Sequence, residues 1–361
     1  MKLENYELHL PSYSIGDSIY RNIGPVCSSY GKTVLIIGGQ KALRAAEGKI
    51  RAAVAQTGLE IIGAELFGDD CTYRNVERLR ALPLYRQADM VFAVGGGKAL
   101  DTCKCLCIED DKPIFTFPTI ASNCSACTSV SIMYNDDGTF LKPHFFIRPA
   151  MHAFIDTEII ANAPAQYMWA GIGDTYAKYY EATISSRGEL LEHYTALGVN
   201  ISRMCRDPLV RFGAKAFADH REHRASYELE QVVLAIVVTT GIASIFLTRD
   251  FTPDYNSGLA HAVFYALTAY PVIEQRHLHG EVVGFGILVA LLCDGQEEEF
   301  ETIHRLNRAI GLPVRLSDIE ITRAQMEDIL PQITQMSDIR HYPYPVTVDM
   351  LRAALDRLER A

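Results

Sequence analysis

The run Val91-Phe92-Ala93-Val94-Gly95-Gly96-Gly97-Lys98-Ala99-Leu100-Asp101 restricts the fold more than any other stretch of this chain. Four apolar residues read as a buried parallel strand, three glycines follow, and a helix begins near Lys98. Consecutive glycines let a ligand approach the backbone, because no Cβ intervenes. A helix N-terminus behind them offers free N–H groups and the positive end of the helix dipole, which favours a phosphate. The spacing is not G-x-G-x-x-G, so the common dinucleotide fingerprint is absent. The plainer reading is a strand-to-helix turn with no phosphate role, and only the rest of the chain decides between them.

The surrounding sequence alternates in the same way. Thr33 to Ile37 is a β-branched run ending at Gly38-Gly39, followed by a helix over Lys41 to Ala55. Glu60 to Ala64 reads as a strand, Val76 to Leu82 as a helix, and Pro113 to Pro118 as a strand bounded by prolines. Such alternation predicts a parallel sheet with helices on both faces, and ligands at the carboxyl ends of the strands. From about Pro164 helical patterns dominate, including Val232 to Leu247 and Val282 to Cys293. The expected fold class is therefore α/β: a Rossmann-like parallel-sheet domain over residues 1–162, then an all-helical domain over 163–361. The cleft between them is the default place for a site.

Composition excludes several partners. A net charge of −10 argues against a nucleic-acid or anionic-membrane surface. No membrane-span-length apolar run is expected, and Met1 to Tyr6 show no leader-like apolar segment. Nine cysteines, an odd number, are scattered through 361 residues, which fits reduced thiols in a cytoplasm better than a disulfide framework. Cys124-x2-Cys127 has no matching second pair, and Cys103, Cys105 and Cys107 read as small packing residues on one helix.

The second half holds the metal chemistry. Gly171-Ile172-Gly173-Asp174-Thr175 is expected to open a helix, His261 to sit within another, and His277-Leu278-His279-Gly280-Glu281 to precede a third. One Asp and two His could form a three-ligand catalytic metal site with an open position. Eleven histidines offer many such triples, so spacing alone leaves a hydrogen-bonded role for His261 and His279 open.

Taken in order, Gly95-Gly96-Gly97-x3-Asp101, Pro118 to Ser122, Gly171 to Asp174, His261 and His279-Gly280-Glu281 resemble the iron-containing alcohol dehydrogenase superfamily, in its glycerol dehydrogenase branch. Thr119-Ile120-Ala121-Ser122-Asn123-Cys124 and Ala170 to Lys178 are most similar to the hydroxycarboxylate dehydrogenases. The likeness runs from Lys32 to about Pro345. It implies a dehydroquinate synthase-like fold and an NAD(P)-linked oxidoreductase. Its metal ligands match Asp174, His261 and His279, and its pyrophosphate turn matches Gly95, Gly96, Gly97 and Asp101. Thr119, Thr128, Val130 and Tyr134 match positions lining the cofactor. The branch usually binds zinc, and iron is commoner where a further His stands at the position of Lys178, so Zn²⁺ is favoured over Fe²⁺. Small-molecule substrates and homo-oligomers are the family's habit.

Three departures carry information. Cys124 stands in the substrate pocket where glycerol dehydrogenases have an Asp, which puts glycerol in doubt. Phe264 replaces a second His. Gly38 replaces the strand-end Asp that holds the adenosine ribose, while Lys41 and Arg44 follow, so NADPH is expected to be accepted alongside NADH. Lys178 lies one turn beyond Asp174, and a cation beside a dication calls for an anion, which a substrate carboxylate would supply. The alternative for Lys178 is an ion pair with Glu181 or with a loop acid. The expected reaction is interconversion of a small 2-oxo acid and its 2-hydroxy acid. Polyol oxidation is the alternative, and a dehydroquinate synthase-like cyclisation is less favoured, since no Lys/Arg/Asn cluster accompanies Asp174.

Overall fold

The computed structural model describes residues 7–248 and 255–361, so the reading of Met1 to Tyr6 falls outside the described residues. The chain divides into two compact units, one running to Ala163 with His223–Ala225 added, the other Pro164–Glu222 and Ser226–Ala361.

The first unit is built on a six-stranded parallel sheet. Its strands are β1 (Tyr13–Gly16), β2 (Thr33–Gly38), β3 (Glu60–Leu66), β4 (Met90–Gly95), β5 (Ile114–Pro118) and β8 (His152–Asp156), in the order β1-β8-β5-β4-β2-β3. β4, β5 and β8 are buried along their whole length, and β2 beyond Thr33. A parallel sheet covered on both faces needs such unbroken apolar runs, which is why β2, β4 and β5 read so clearly in the sequence. Phe92, Phe115, Phe117 and Phe154 pack together at the centre. β2, β4 and β5 lie side by side, so Gly38, Gly95 and Pro118 end neighbouring strands. The remaining strands, β6 (Val130–Tyr134) and β7 (Phe140–Phe145), form a separate antiparallel hairpin that the sequence did not announce.

One helical reading shifts at both ends in this unit. The helix expected from Val76 begins at Tyr73, because the Thr72 side chain accepts the Asn75 N–H and caps it. It ends at Arg80, and a separate short helix Pro83–Gln87 follows.

The second unit is helical throughout its described residues. The helix expected to open at Gly171 starts at Ala165 and runs to Ser185, so Asp174 lies in its third turn. Pro164 sets that start, since it precedes the first helical residue and contributes no donor of its own. The Val232 to Leu247 reading is a longer run, Tyr227–Phe246, interrupted by a π-helical segment Leu234–Thr239. Contrary to the sequence reading, this run is apolar and long enough to cross a membrane, with mean hydropathy 1.9, but 72% of it is buried inside the unit. It serves as a core helix here.

Candidate active site

In the second unit, glycines bring three helices nearly into backbone contact. A Cβ on Gly280 would stand 2.0 Å from the Ala170 carbonyl oxygen, and one on Gly173 would stand 2.2 Å from that of Gly280. These glycines let the Ala165–Ser185 and His279–Cys293 helices close on each other, which sets Asp174 beside His279. Gly286 makes the same approach to Ala260, where a Cβ would lie 2.6 Å from the carbonyl oxygen, and so draws in the Leu259–Leu267 helix that carries His261.

The result is a cluster of one donor atom each from Asp174, His261 and His279, all within 4.8 Å of one another. Asp174 Oδ1 lies 3.5 Å from His279 Nε2 and 3.8 Å from His261 Nε2. Burial would raise the Asp174 carboxyl, but His279, then His261 and Lys178, hold it down at about 2. His261 is nearly buried, whereas the His279 side chain is 44% exposed, so the cluster opens to solvent on the His279 side. His279 is the first residue of its helix, and Glu281 caps that start by accepting the Leu278 N–H at 3.0 Å. Phe264 stands edge-on to His279 with centroids 4.4 Å apart, making the apolar wall that its substitution for histidine implied.

Glu181, which sequence reasoning considered only as a partner for Lys178, proves central. Its Oε2 lies 2.7 Å from His261 Nδ1, and its Oε1 accepts the His261 backbone N–H at 3.0 Å. A carboxylate behind one ring nitrogen fixes the tautomer and presents the other nitrogen to a ligand. Burial pulls the His261 imidazole down, and Glu181 more than reverses it, so the ring titrates above its usual range. The seven-residue spacing from Asp174 to Glu181 was the available signal, since it is two helical turns. Lys178 does not pair with Glu181. It donates to Asn256 Oδ1 at 2.7 Å and to the Asn256 carbonyl, while Asn256 Nδ2 donates to Ser244 Oγ. Both acceptors on Lys178 are neutral, and the residue is 7% exposed.

In the first unit, the glycine turn has the geometry its sequence suggests. Gly95 has φ +154°, Gly96 precedes the Gly97–Glu109 helix, and no side chain caps that helix start. A Cβ on Gly95 would lie 2.8 Å from Ala99 Cβ, and one on Gly96 would lie 2.5 Å from Ile120 Cδ1. Gly38 has no room for a side chain either, since its Cβ would stand 2.5 Å from the Val94 carbonyl oxygen. The missing acidic residue at this strand end is thus enforced by packing. Lys41 and Arg44 are exposed and have no ion-pair or hydrogen-bond partner among the described residues.

Asp101 is used differently from the glycines before it. Its carboxylate accepts Ser125 Oγ at 2.5 Å and the Ile132 N–H at 3.0 Å, and pairs with Lys104 at 3.0 Å. Lys104, fully buried, donates in turn to Thr128 Oγ1 and to the Val130 carbonyl. This pair therefore fastens Thr128 and Val130 to the helix, a role for Lys104 that its place among the cysteines concealed. Thr119 is bound to the turn itself through its N–H to the Gly95 carbonyl. Tyr134 lies under Lys98 Nζ, 4.5 Å from its ring centroid, and Lys98 also pairs with Asp70. Cys124, partly exposed, precedes the short turn Ser125–Cys127, and Cys127 is buried.

A family model described as "Iron-containing alcohol dehydrogenase" matches residues 11–154. The chain is 34% identical to hydroxycarboxylate dehydrogenase A of Escherichia coli over 326 residues, covering 89% of this chain and 88% of that protein. It is 31% identical to the glycerol dehydrogenase of Pseudomonas putida over 362 aligned positions, covering 95% and 94%. Its fold matches the crystal structure of a probable glycerol dehydrogenase from Sinorhizobium meliloti with a TM-score of 0.80 at 25% identity, covering 99% of each chain.

Proposed function

Because the chain belongs to the iron-containing alcohol dehydrogenase family, in its glycerol dehydrogenase branch, we propose that this NAD(P)-linked oxidoreductase interconverts a small 2-oxo acid and its 2-hydroxy acid. The observation that carries the reading is Lys178, a nearly buried cation with only neutral acceptors, one helical turn from Asp174. Asp174 is the anion beside it, but Asp174 is committed to the metal, which leaves a substrate carboxylate as the anion for Lys178.

Asp174, His261 and His279 fit a divalent metal, since one carboxylate and two imidazoles converge and one side stays open to solvent. Zn²⁺ suits that donor set best, with Fe²⁺ the alternative. A metal there would supply Lewis acidity, polarising a carbonyl oxygen or favouring the alkoxide of an alcohol. The remaining roles belong to the chain. Glu181 holds the Nδ1 side of His261 and keeps Nε2 turned toward Asp174. Phe264 packs its ring against one side of His279. The uncapped N–H groups at Gly97, Lys98 and Ala99 would bind the pyrophosphate of the dinucleotide. Asp101 and Lys104 act by positioning, holding Thr128, Val130 and the hairpin that ends in Tyr134. Lys41 and Arg44 would face a 2′-phosphate, with no acid at Gly38 to repel it.

Polyol oxidation is the second reading, and the likeness to glycerol dehydrogenases favours it as a class. A reduction screen separates the two: 2-oxo acids, neutral ketones and dihydroxyacetone, with NADH and NADPH, with and without added Zn²⁺. Metal-dependent reduction with 2-oxo acids as best substrates is expected. Oxidation of glycerol faster than every 2-hydroxy acid would establish the polyol reading instead.

A further inference from the structure

Among the described residues a second group of metal-type donors exists, wholly within the first unit: Cys105, Glu109 and His144. Cys105 and Glu109 stand four residues apart on the Gly97–Glu109 helix and so share a face. Asp101 precedes them by another four residues on that face. Asp101 already ties the helix to β6 through the Ile132 N–H, and the register of the hairpin pairs Ser131 with His144. The docking that satisfies Asp101 therefore carries His144 of β7 to the end of the helix where Cys105 and Glu109 lie.

The donor atoms converge. Glu109 Oε1 lies 3.2 Å from His144 Nε2 and 3.8 Å from Cys105 Sγ, and all three are within 4.8 Å of one another. A tetrahedral zinc, with bonds of about 2.0–2.3 Å, places its donors about 3.3–3.7 Å apart. The atoms behind the donors are also occupied as a metal site requires. His144 Nδ1 lies 2.9 Å from the Tyr73 hydroxyl, which leaves Nε2 for the ion. Arg80 Nη2 donates to Glu109 Oε2 at 2.9 Å, which leaves Oε1. Such outer contacts orient ligands and are what separates a built site from a chance cluster. Cys105 is buried, whereas the side chains of His144 and Glu109 are 23% and 35% exposed, so an ion could enter from solvent and keep a water in the fourth position.

We propose that Cys105, Glu109 and His144 form a second divalent-metal site, with Zn²⁺ its preferred ion, which clamps the β6–β7 hairpin to the helix of the glycine turn. Thiolate, imidazole and carboxylate together suit zinc and cobalt and disfavour magnesium or calcium. Binding is not redox chemistry: the Cys105 S–H bond breaks, its proton goes to solvent, and the thiolate pair bonds to the ion. The clamp also goes beyond the catalytic reading, since it shares no residue with the Asp174 cluster.

Cobalt titration of the full-length, metal-stripped protein tests this directly, because the Asp174 cluster contains no sulfur. Two equivalents of Co²⁺ should bind, and one should produce a sulfur-to-cobalt charge-transfer band that Zn²⁺ abolishes by displacement. Cys105→Ser should remove the band, and Cys124→Ser should leave it intact. Tyr73→Phe, which removes only the hydroxyl behind His144, should weaken that equivalent about tenfold or more. Should Cys105→Ser fail to fold, His144→Ala, on a partly exposed side chain, must remove the band in its place. A folded wild type without the band, or a band of unchanged affinity in Cys105→Ser or His144→Ala, would overturn the proposal.

Discussion

In the proposed function a single residue, Gly38, limits cofactor choice. The Val94 carbonyl oxygen occupies the space of its Cβ, so the strand end cannot carry the carboxylate that would grip a ribose and repel a 2′-phosphate. Lys41 and Arg44, exposed and unpartnered among the described residues, are free to attract one. The enzyme is therefore expected to use NADPH at least as well as NADH. Lys41→Ala should cost NADPH about tenfold to a hundredfold in kcat/KM, the worth of one charge-assisted contact, with little change for NADH. A strong NADH preference that Lys41→Ala leaves unchanged would contradict this. Gly38 and Lys41 were legible through the resemblance to the family, which marks the strand end where an acidic residue is missing. The sequence concealed Lys104 and Glu181, whose roles rest on partners 24 and 80 residues away.

At the scale of elements, close helix packing and a buried histidine make separate predictions. Gly280→Ala would drive a methyl group into the Ala170 carbonyl, forcing the Ala165–Ser185 and His279–Cys293 helices apart. Overpacking of this kind costs about 1–3 kcal/mol, and here it also separates Asp174 from His279. A lower melting temperature together with lost metal content is expected; retained metal at wild-type affinity would contradict it. His152 on β8 lies between Ser12 Oγ and Ser14 Oγ, at 2.8 and 2.9 Å, and burial holds its imidazole below the usual range. The native state therefore favours the neutral ring, while the unfolded chain takes up a proton below about pH 6.5. Stability should fall as pH drops through that value toward the folded-state pKa, and the fall should be shallower in His152→Asn. Urea midpoints measured across that range check the sign, and parallel curves would remove His152 from the account. β2, β4 and β5 were legible because full burial demands unbroken apolar runs, whereas β1 and β8 at one side of the sheet were not read as strands. The β6–β7 hairpin was not legible either, because neither strand forms an unbroken buried run and Pro143 interrupts β7. The start of the Asp174 helix was misplaced for a different reason. Gly171 and Gly173 look like a helix opening, whereas Gly173 is small for the sake of the helix packed against it.

For the whole molecule, the glycine turn belongs to the first unit and the Asp174 cluster to the second, so cofactor binding and metal binding should separate. His279→Ala should abolish turnover and leave the dissociation constant for NAD(P)H within a few-fold of wild type. Loss of both together would contradict that separation. In the proposed function the choice of a 2-oxo acid rests on Lys178. The most direct measurement is the KM of Lys178→Ala for a 2-oxo acid and for a neutral ketone of similar size. A lost charge-assisted contact predicts a rise of about tenfold to a hundredfold for the acid and almost none for the ketone. An equal rise for both would show that Lys178 serves only to hold Asn256, and that the carboxylate reading is wrong.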